Sequence, residues 1–229
     1  MRLCVIGTSH VATLKLGWDQ RAAAHPGVAV TFFAAPLGKL LSLKPQDGRL
    51  VSADAETRGL LASSTGHAEV NPQDFDAVLL AGMRFYLPRL DVRMSAALLQ
   101  AVLADIVAGP ALTLAKRIRR LAPLPVFFAH EPLWADLPRY RRGEGHLVAY
   151  GDVRALMQAR LALRNTTLLP QPPDTISPAQ LTPLAFSVET AAPEVVEASG
   201  RAFDQVHMNA GFGAAWWRYN LAAITSQGG

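Results

Sequence analysis

Ser9, Asp204 and His207 are the residues whose types and spacing point most directly to chemistry. Ser9 belongs to "VIGTSHVATL", 5–14, where an apolar run ends in Gly7 and passes through Thr8, Ser9 and His10 into a helical pattern. At a helix N-terminus the backbone N–H groups are unpaired and the local charge is partly positive, a setting that stabilises an oxyanion. A plain N-cap has the same composition, because it needs only a hydroxyl that accepts a backbone N–H. Far along the chain stands "DQVHMN", 204–209. Three residues apart, Asp204 and His207 can meet on one turn, the carboxylate fixing the imidazole tautomer and leaving the other ring nitrogen as a base. Such a pair activates a serine hydroxyl, a poor nucleophile at its free pKa. A D-x-x-H spacing also arises by chance, and Asn209 reads as a helix cap.

Apolar runs of strand length occur at 2–7, 28–35, 75–82, 124–130 and 166–170. Several are continuously apolar, as strands buried on both faces of a parallel sheet must be. Helical patterns at 10–24, 95–108, 111–121, 152–163 and 210–224 separate most of them. Alternation of this kind predicts an open α/β sheet with helices on both faces. In such sheets, sites form at the carboxyl ends of strands, where Ser9 falls. The connection 36–74 is long, and "KLLSLKPQDGRLVSA" within it reads as a small hairpin turning at "PQDG". A second connection, 170–193, is proline-rich and precedes the last helix. The expectation is one domain over 1–229 with a hairpin insertion within 36–74.

Strand–"GTSH" near the start and "DQVH" before the last helix together resemble the SGNH (GDSL-type) hydrolase family. The resemblance implies a flavodoxin-like three-layer sandwich with a central, mostly parallel sheet. It implies Ser9 as nucleophile, His207 as general base and Asp204 as the residue orienting it, in an esterase or acyltransferase acting on a small-molecule or carbohydrate ester. Thr8 stands where the family usually has Asp. Gly38 in "APLGKL" best matches the glycine that supplies an oxyanion N–H after the second strand. Gly82 and Arg84 in "GMR" align with the family's Gly-x-Asn, so Arg84 occupies the Asn position and is a candidate for binding an oxyanion or an anionic group. His10, next to the nucleophile, and His130, in "AHEP" at the end of the fourth strand, are further candidates for lining the pocket.

Composition narrows the alternatives. Half of the 229 residues are hydrophobic, enough for a sizeable core. The net charge is only +4, and the basic run "KRIRR", 116–120, has no interleaved aromatics. It reads as the solvated face of a helix rather than a nucleic-acid surface. The one cysteine, Cys4, rules out a disulfide framework and sits in an apolar run as a small hydrophobe. No apolar run reaches the ~18 residues that span a bilayer, and no signal-peptide pattern opens the chain, so a cytoplasmic location without membrane insertion is expected. The six histidines show no H-E-x-x-H or Cys/His ligand spacing, so neither a catalytic metal nor a cofactor is expected. Two other classes remain open on these residues. One is a phosphate- or sugar-binding protein using the "GTSHVAT" hydroxyls; the other is an interaction module on a degenerate hydrolase fold.

Overall fold

In the computed structural model, residues 1–141, 146–189 and 203–227 are described. The five apolar runs form strands β1 (Arg2–Gly7), β2 (Ala29–Ala34), β5 (Ala77–Ala81), β6 (Val126–Ala129) and β7 (Thr166–Leu169). They make one parallel sheet in the order β2-β1-β5-β6-β7, with Leu3 opposite Ala77 and Val78 opposite Val126. Counting only these strands, the order is that of the doubly wound flavodoxin-like sheet, and the direction of winding reverses at β1 and β5. The carboxyl ends of β1 and β5 therefore flank the crevice where ligands bind in this architecture.

Alternation along each strand builds two cores. Leu3, Val5, Leu79, Phe127 and Leu169 point to one face, and Cys4, Ile6, Val78, Leu80 and Phe128 to the other. The first face is covered by α1 (His10–Asp19) and α7 (Ala210–Thr225), which bring Leu14, Trp18, Trp216 and Trp217 into that core. The second is covered by α2 (Leu37–Ser42), α3 (Ala55–Thr65), α4 (Ala96–Val107), α5 (Pro110–Leu121) and α6 (Tyr150–Ala162). Helices on both faces of the sheet make this a three-layer α/β sandwich. No single helix among the described residues is long and apolar enough to cross a membrane.

The connection 36–74 is more structured than its sequence implies. A hairpin of β3 (Lys44–Gln46) and β4 (Arg49–Val51) is present, turning at Asp47 and Gly48, both with positive φ. That is the type I′ geometry favoured by an Asp-Gly pair. The stretch read as the start of the hairpin is helix α2 instead, and α3 follows the hairpin. Asp54 caps α3 by accepting from Glu56 N, and Gly66 ends it in the left-handed region. The "KRIRR" run lies on α5, yet it is not wholly solvated. Arg117 donates to the carbonyls of Leu41 and Leu43, and Arg119 to Asn165 and Thr166.

Helices α1 and α7 pack at unusually close range. A Cβ built on Gly213 would lie 2.1 Å from the Thr13 carbonyl oxygen, and one on Gly17 would lie 2.1 Å from the Gly213 carbonyl carbon. Trp217 Nε1 donates to Leu14 O across the pair, and Thr13 Oγ1 donates to Met208 O at the end of β9, both at 2.7 Å and buried. Ser9 begins α1 and His207 lies just before α7, so this contact sets the distance between them. Gly213→Ala should force the helices apart, at a cost of ~1–3 kcal/mol or more because the clashing atoms are backbone. Chemical denaturation measures that loss.

Candidate functional site

Ser9 is the N-cap of α1, but its side chain makes no capping hydrogen bond. Its exposed hydroxyl instead lies 2.8 Å from His207 Nε2. His207 Nδ1 is 2.7 Å from Asp204 Oδ2. A carboxylate only accepts, so Nδ1 carries the proton and donates to Asp204. In the neutral ring Nε2 is then the acceptor for the Ser9 hydroxyl. The structure thus brings Ser9, His207 and Asp204 into one line of hydrogen bonds from residues 198 apart in sequence.

Asp204 and His207 lie on β9 (Phe203–Met208), which pairs with β8 (Ser187–Glu189), and not on a helical turn. In a regular strand, residues three apart face opposite sides. Here the pairs Ser187–Met208 and Glu189–Phe203 leave β9 with extra residues between them, so the strand bulges. The Asp204 carboxylate fastens the bulge, its Oδ1 accepting from the backbone N–H of both Val206 and His207. One side chain therefore shapes the backbone and orients the imidazole. Partial burial raises the Asp204 pKa, but the Val206 N–H, the His207 ring and the His207 N–H outweigh it and hold the carboxyl below its ordinary value. Asn209 caps α7 by accepting from Phe212 N.

Of the remaining candidates, His10 and Gly82 sit beside this line. His10 is buried, and its ring packs on His207 with centroids 5.6 Å apart. Burial, together with the like charge of His207, lowers its pKa to about 4 against the pull of Asp204. It therefore stays neutral where an imidazolium would oppose charge forming on His207. Gly82 has a φ of +70°, and a Cβ there would lie 2.7 Å from His10 Cδ2 and 2.9 Å from Thr8 Oγ1. Its N–H donates to Ala129 O, so that amide is committed to the sheet and its place in the site is one of space. Gly38 is exposed on α2, with nothing near the position a side chain would take.

His130 is buried at the end of β6, and both of its ring nitrogens have internal partners. Nδ1 bonds Glu131 O at 2.6 Å, and Nε2 lies 2.9 Å from the Tyr150 hydroxyl, which in turn accepts from Gln171 N. Donation from Nδ1 to the carbonyl and from Tyr150 to Nε2 satisfies every group with a neutral ring. Both nitrogens are thus engaged inside the protein, while the ring lines a small pocket together with His10 and Gly82. Burial lowers the His130 pKa to about 4.

Glu131, which the sequence reading did not single out, ties the segment after β6 to the segment after β5. Gly82, Met83 and Arg84 are three successive residues with positive φ, at 70°, 62° and 57°. For Met83 and Arg84 that conformation costs ~1–3 kcal/mol each. Burial of the Met83 side chain in the core and a 2.8 Å hydrogen bond from Arg84 N to Glu131 Oε1 hold it in place. The Arg84 side chain itself is exposed. Burial raises the Glu131 pKa, opposed by the Arg84 N–H and by the charges of Arg84 and His207. The one legible sign of Glu131 was its place directly after a strand's carboxyl end, in "AHEP".

No family profile matches the chain. No curated protein matches it at a significant level. Among solved structures, a Bacteroides fragilis protein described as a "putative acylhydrolase" is similar at 11% identity, covering 100% of this chain and 88% of its own, with a TM-score of 0.44. A likeness that remote decides nothing about the chemistry of this chain.

Two outcomes are expected. Glu131→Ala should destabilise the fold by ~1.5–3 kcal/mol, the usual worth of a hydrogen bond to a charged group, and Glu131→Gln by less, because an amide oxygen still accepts. Urea midpoints compare the two. The buried histidines should also make stability fall with acid. Unfolded, these rings bind protons near pH 6.5, whereas folded they bind them only near pH 4. Between those values the unfolded chain holds more protons, so stability rises with pH across the window and is lost as pH drops through it. His130→Gln should flatten the dependence of melting temperature on pH between 4 and 6.5.

Proposed function

We propose that the protein is a serine ester hydrolase working through an acyl-enzyme, with Ser9 as nucleophile, His207 as general base and Asp204 as the group that orients and electrostatically supports the ring. The supporting observation is the run of hydrogen bonds from Asp204 through His207 to a Ser9 hydroxyl that no helix cap consumes. In this reading Ser9 Oγ attacks the ester carbonyl carbon while its proton passes to His207 Nε2, and the carbonyl electron pair moves onto oxygen. The first-turn N–H groups of α1 and the positive end of that helix are the stabilising groups assigned to the oxyanion. Collapse of the adduct breaks the C–O bond, and the alcohol leaves with the proton from Nε2. Water, deprotonated by the same nitrogen, then releases the acid and restores Ser9.

The order of nucleophile and Asp-x-x-His pair is that of an SGNH-type site, with Thr8 and Arg84 where that family carries Asp and Asn. An alcohol entering in place of water, a sugar hydroxyl included, would make the same intermediate an acyl donor. The two outcomes differ only in the second step and are separated by product analysis.

A fluorophosphonate probe should label the folded protein on the peptide that contains Ser9, and should fail to label Ser9→Ala. Turnover of an activated acetate ester should fall by ~10³-fold or more in Ser9→Ala and His207→Ala, and by up to ~10⁴-fold in Asp204→Asn, whose amide cannot hold the same tautomer. Activity should decline as pH falls, because an imidazolium cannot accept the Ser9 proton. A folded protein that leaves Ser9 unlabelled would overturn this reading in favour of a binding role.

A further inference from the structure

A groove of about 470 Å³ runs between the segments that follow β5 and β6. Buried Leu87 and Leu133 form its floor, and Pro88 and Pro132 stiffen the two segments. Tyr86, Trp134 and Val206 stand along it at 46%, 50% and 36% exposure. Large apolar side chains held in water on a shaped surface mark a place where an apolar partner binds. Two residues connect the groove to the hydrogen-bonded line. Val206 directly precedes His207, and Glu131, which lines the same groove, holds Arg84 N and lies within electrostatic reach of His207.

The charges in the groove select further. Each terminal nitrogen of Arg89 donates one N–H to a backbone carbonyl, of Tyr140 or Ala179, which fixes the guanidinium in place but leaves its positive charge. Glu131 brings a carboxylate of opposite sign, so the groove lining carries no net charge. The groove is therefore suited to a neutral, apolar group. Resting on the ester-hydrolase reading above, we infer that it binds an aliphatic or aryl portion of the substrate. The substrate class is then esters carrying a medium-length apolar group, rather than acetyl esters of small polar alcohols.

The physical reason predicts a slope. Each methylene moved from water into such a groove favours binding by about fourfold, and the proline-stiffened walls lower the ordering cost. From ethyl acetate, one series lengthens the acyl side to ethyl hexanoate, and the other lengthens the alcohol side to hexyl acetate. In at least one series kcat/KM, followed by acid release, should rise ~10-fold or more from end to end. Trp134→Ala and Tyr86→Ala should each reduce the ratio of long to short ester by ~3-fold or more in that series. Flat kcat/KM in both series, or an unchanged ratio in both variants, would overturn the inference while leaving the hydrolase reading intact. If no ester is turned over, the hydrolase reading fails separately, and binding alone decides the groove. Ser9→Ala should then bind hexanamide or N-hexylacetamide ~10-fold more tightly than acetamide or N-methylacetamide by calorimetry. Equal affinity within both amide pairs would overturn it.

Discussion

The contact of α1 with α7 governs the rest of the site. Two glycines, Gly17 and Gly213, let helix backbones meet where any side chain would collide with main-chain atoms. Ser9 is the N-cap residue of α1, and β9, which carries Asp204 and His207, leads directly into the N-terminus of α7. A shift of the helices would act directly on the 2.8 Å separation of Ser9 and His207. The buried bond from Trp217 crosses the same interface, that from Thr13 ties α1 to the end of β9, and Trp18, Trp216 and Trp217 pack around them. Close-packed interiors deform little, so the helix pair acts as a rigid spacer between two residues remote in sequence.

Around that spacer, burial sorts the polar groups into two kinds. His10 and His130 lie inside and stay neutral, one packed at a tilt against His207 and the other bridging Glu131 and Tyr150. Ser9, Asp204 and His207 retain access to solvent. The buried imidazoles shape the wall without adding charge, while the His207 ring stays in contact with solvent. Glu131 belongs to neither kind. Its carboxylate restrains a backbone of three successive left-handed residues, which keeps the end of β5 in a fixed form beside the crevice.

Much of this was legible in the residues. All five sheet strands show as apolar runs because burial on both faces permits almost nothing else, and the hairpin shows in Asp47-Gly48. Helix α3 was missed because Gly59 and its run of Ser and Thr blur the apolar period, although Asp54 and Gly66 carry ordinary start and stop signals. The partnership of Asp204 with His207 was legible as residue types at a spacing, yet its geometry was not. Helical spacing suggested a turn, whereas the observed element is a bulged strand whose form depends on its pairing with β8. Gly82 and His130 illustrate the same limit. Their tasks are set by Ala129, Tyr150 and Gln171, partners supplied by the fold and invisible to local pattern.

The separation of Ser9 from His207 along the chain has a consequence in time. A ribosome makes β1 and the start of α1 before the other sheet strands, and β9 only after all five of those strands have been translated. Until β9 and α7 emerge and dock, the Ser9 hydroxyl has no imidazole beside it and the first face of the sheet lacks half its cover. Nascent chains therefore lack the hydrogen-bonded line, and it is assembled in a single late event rather than by degrees.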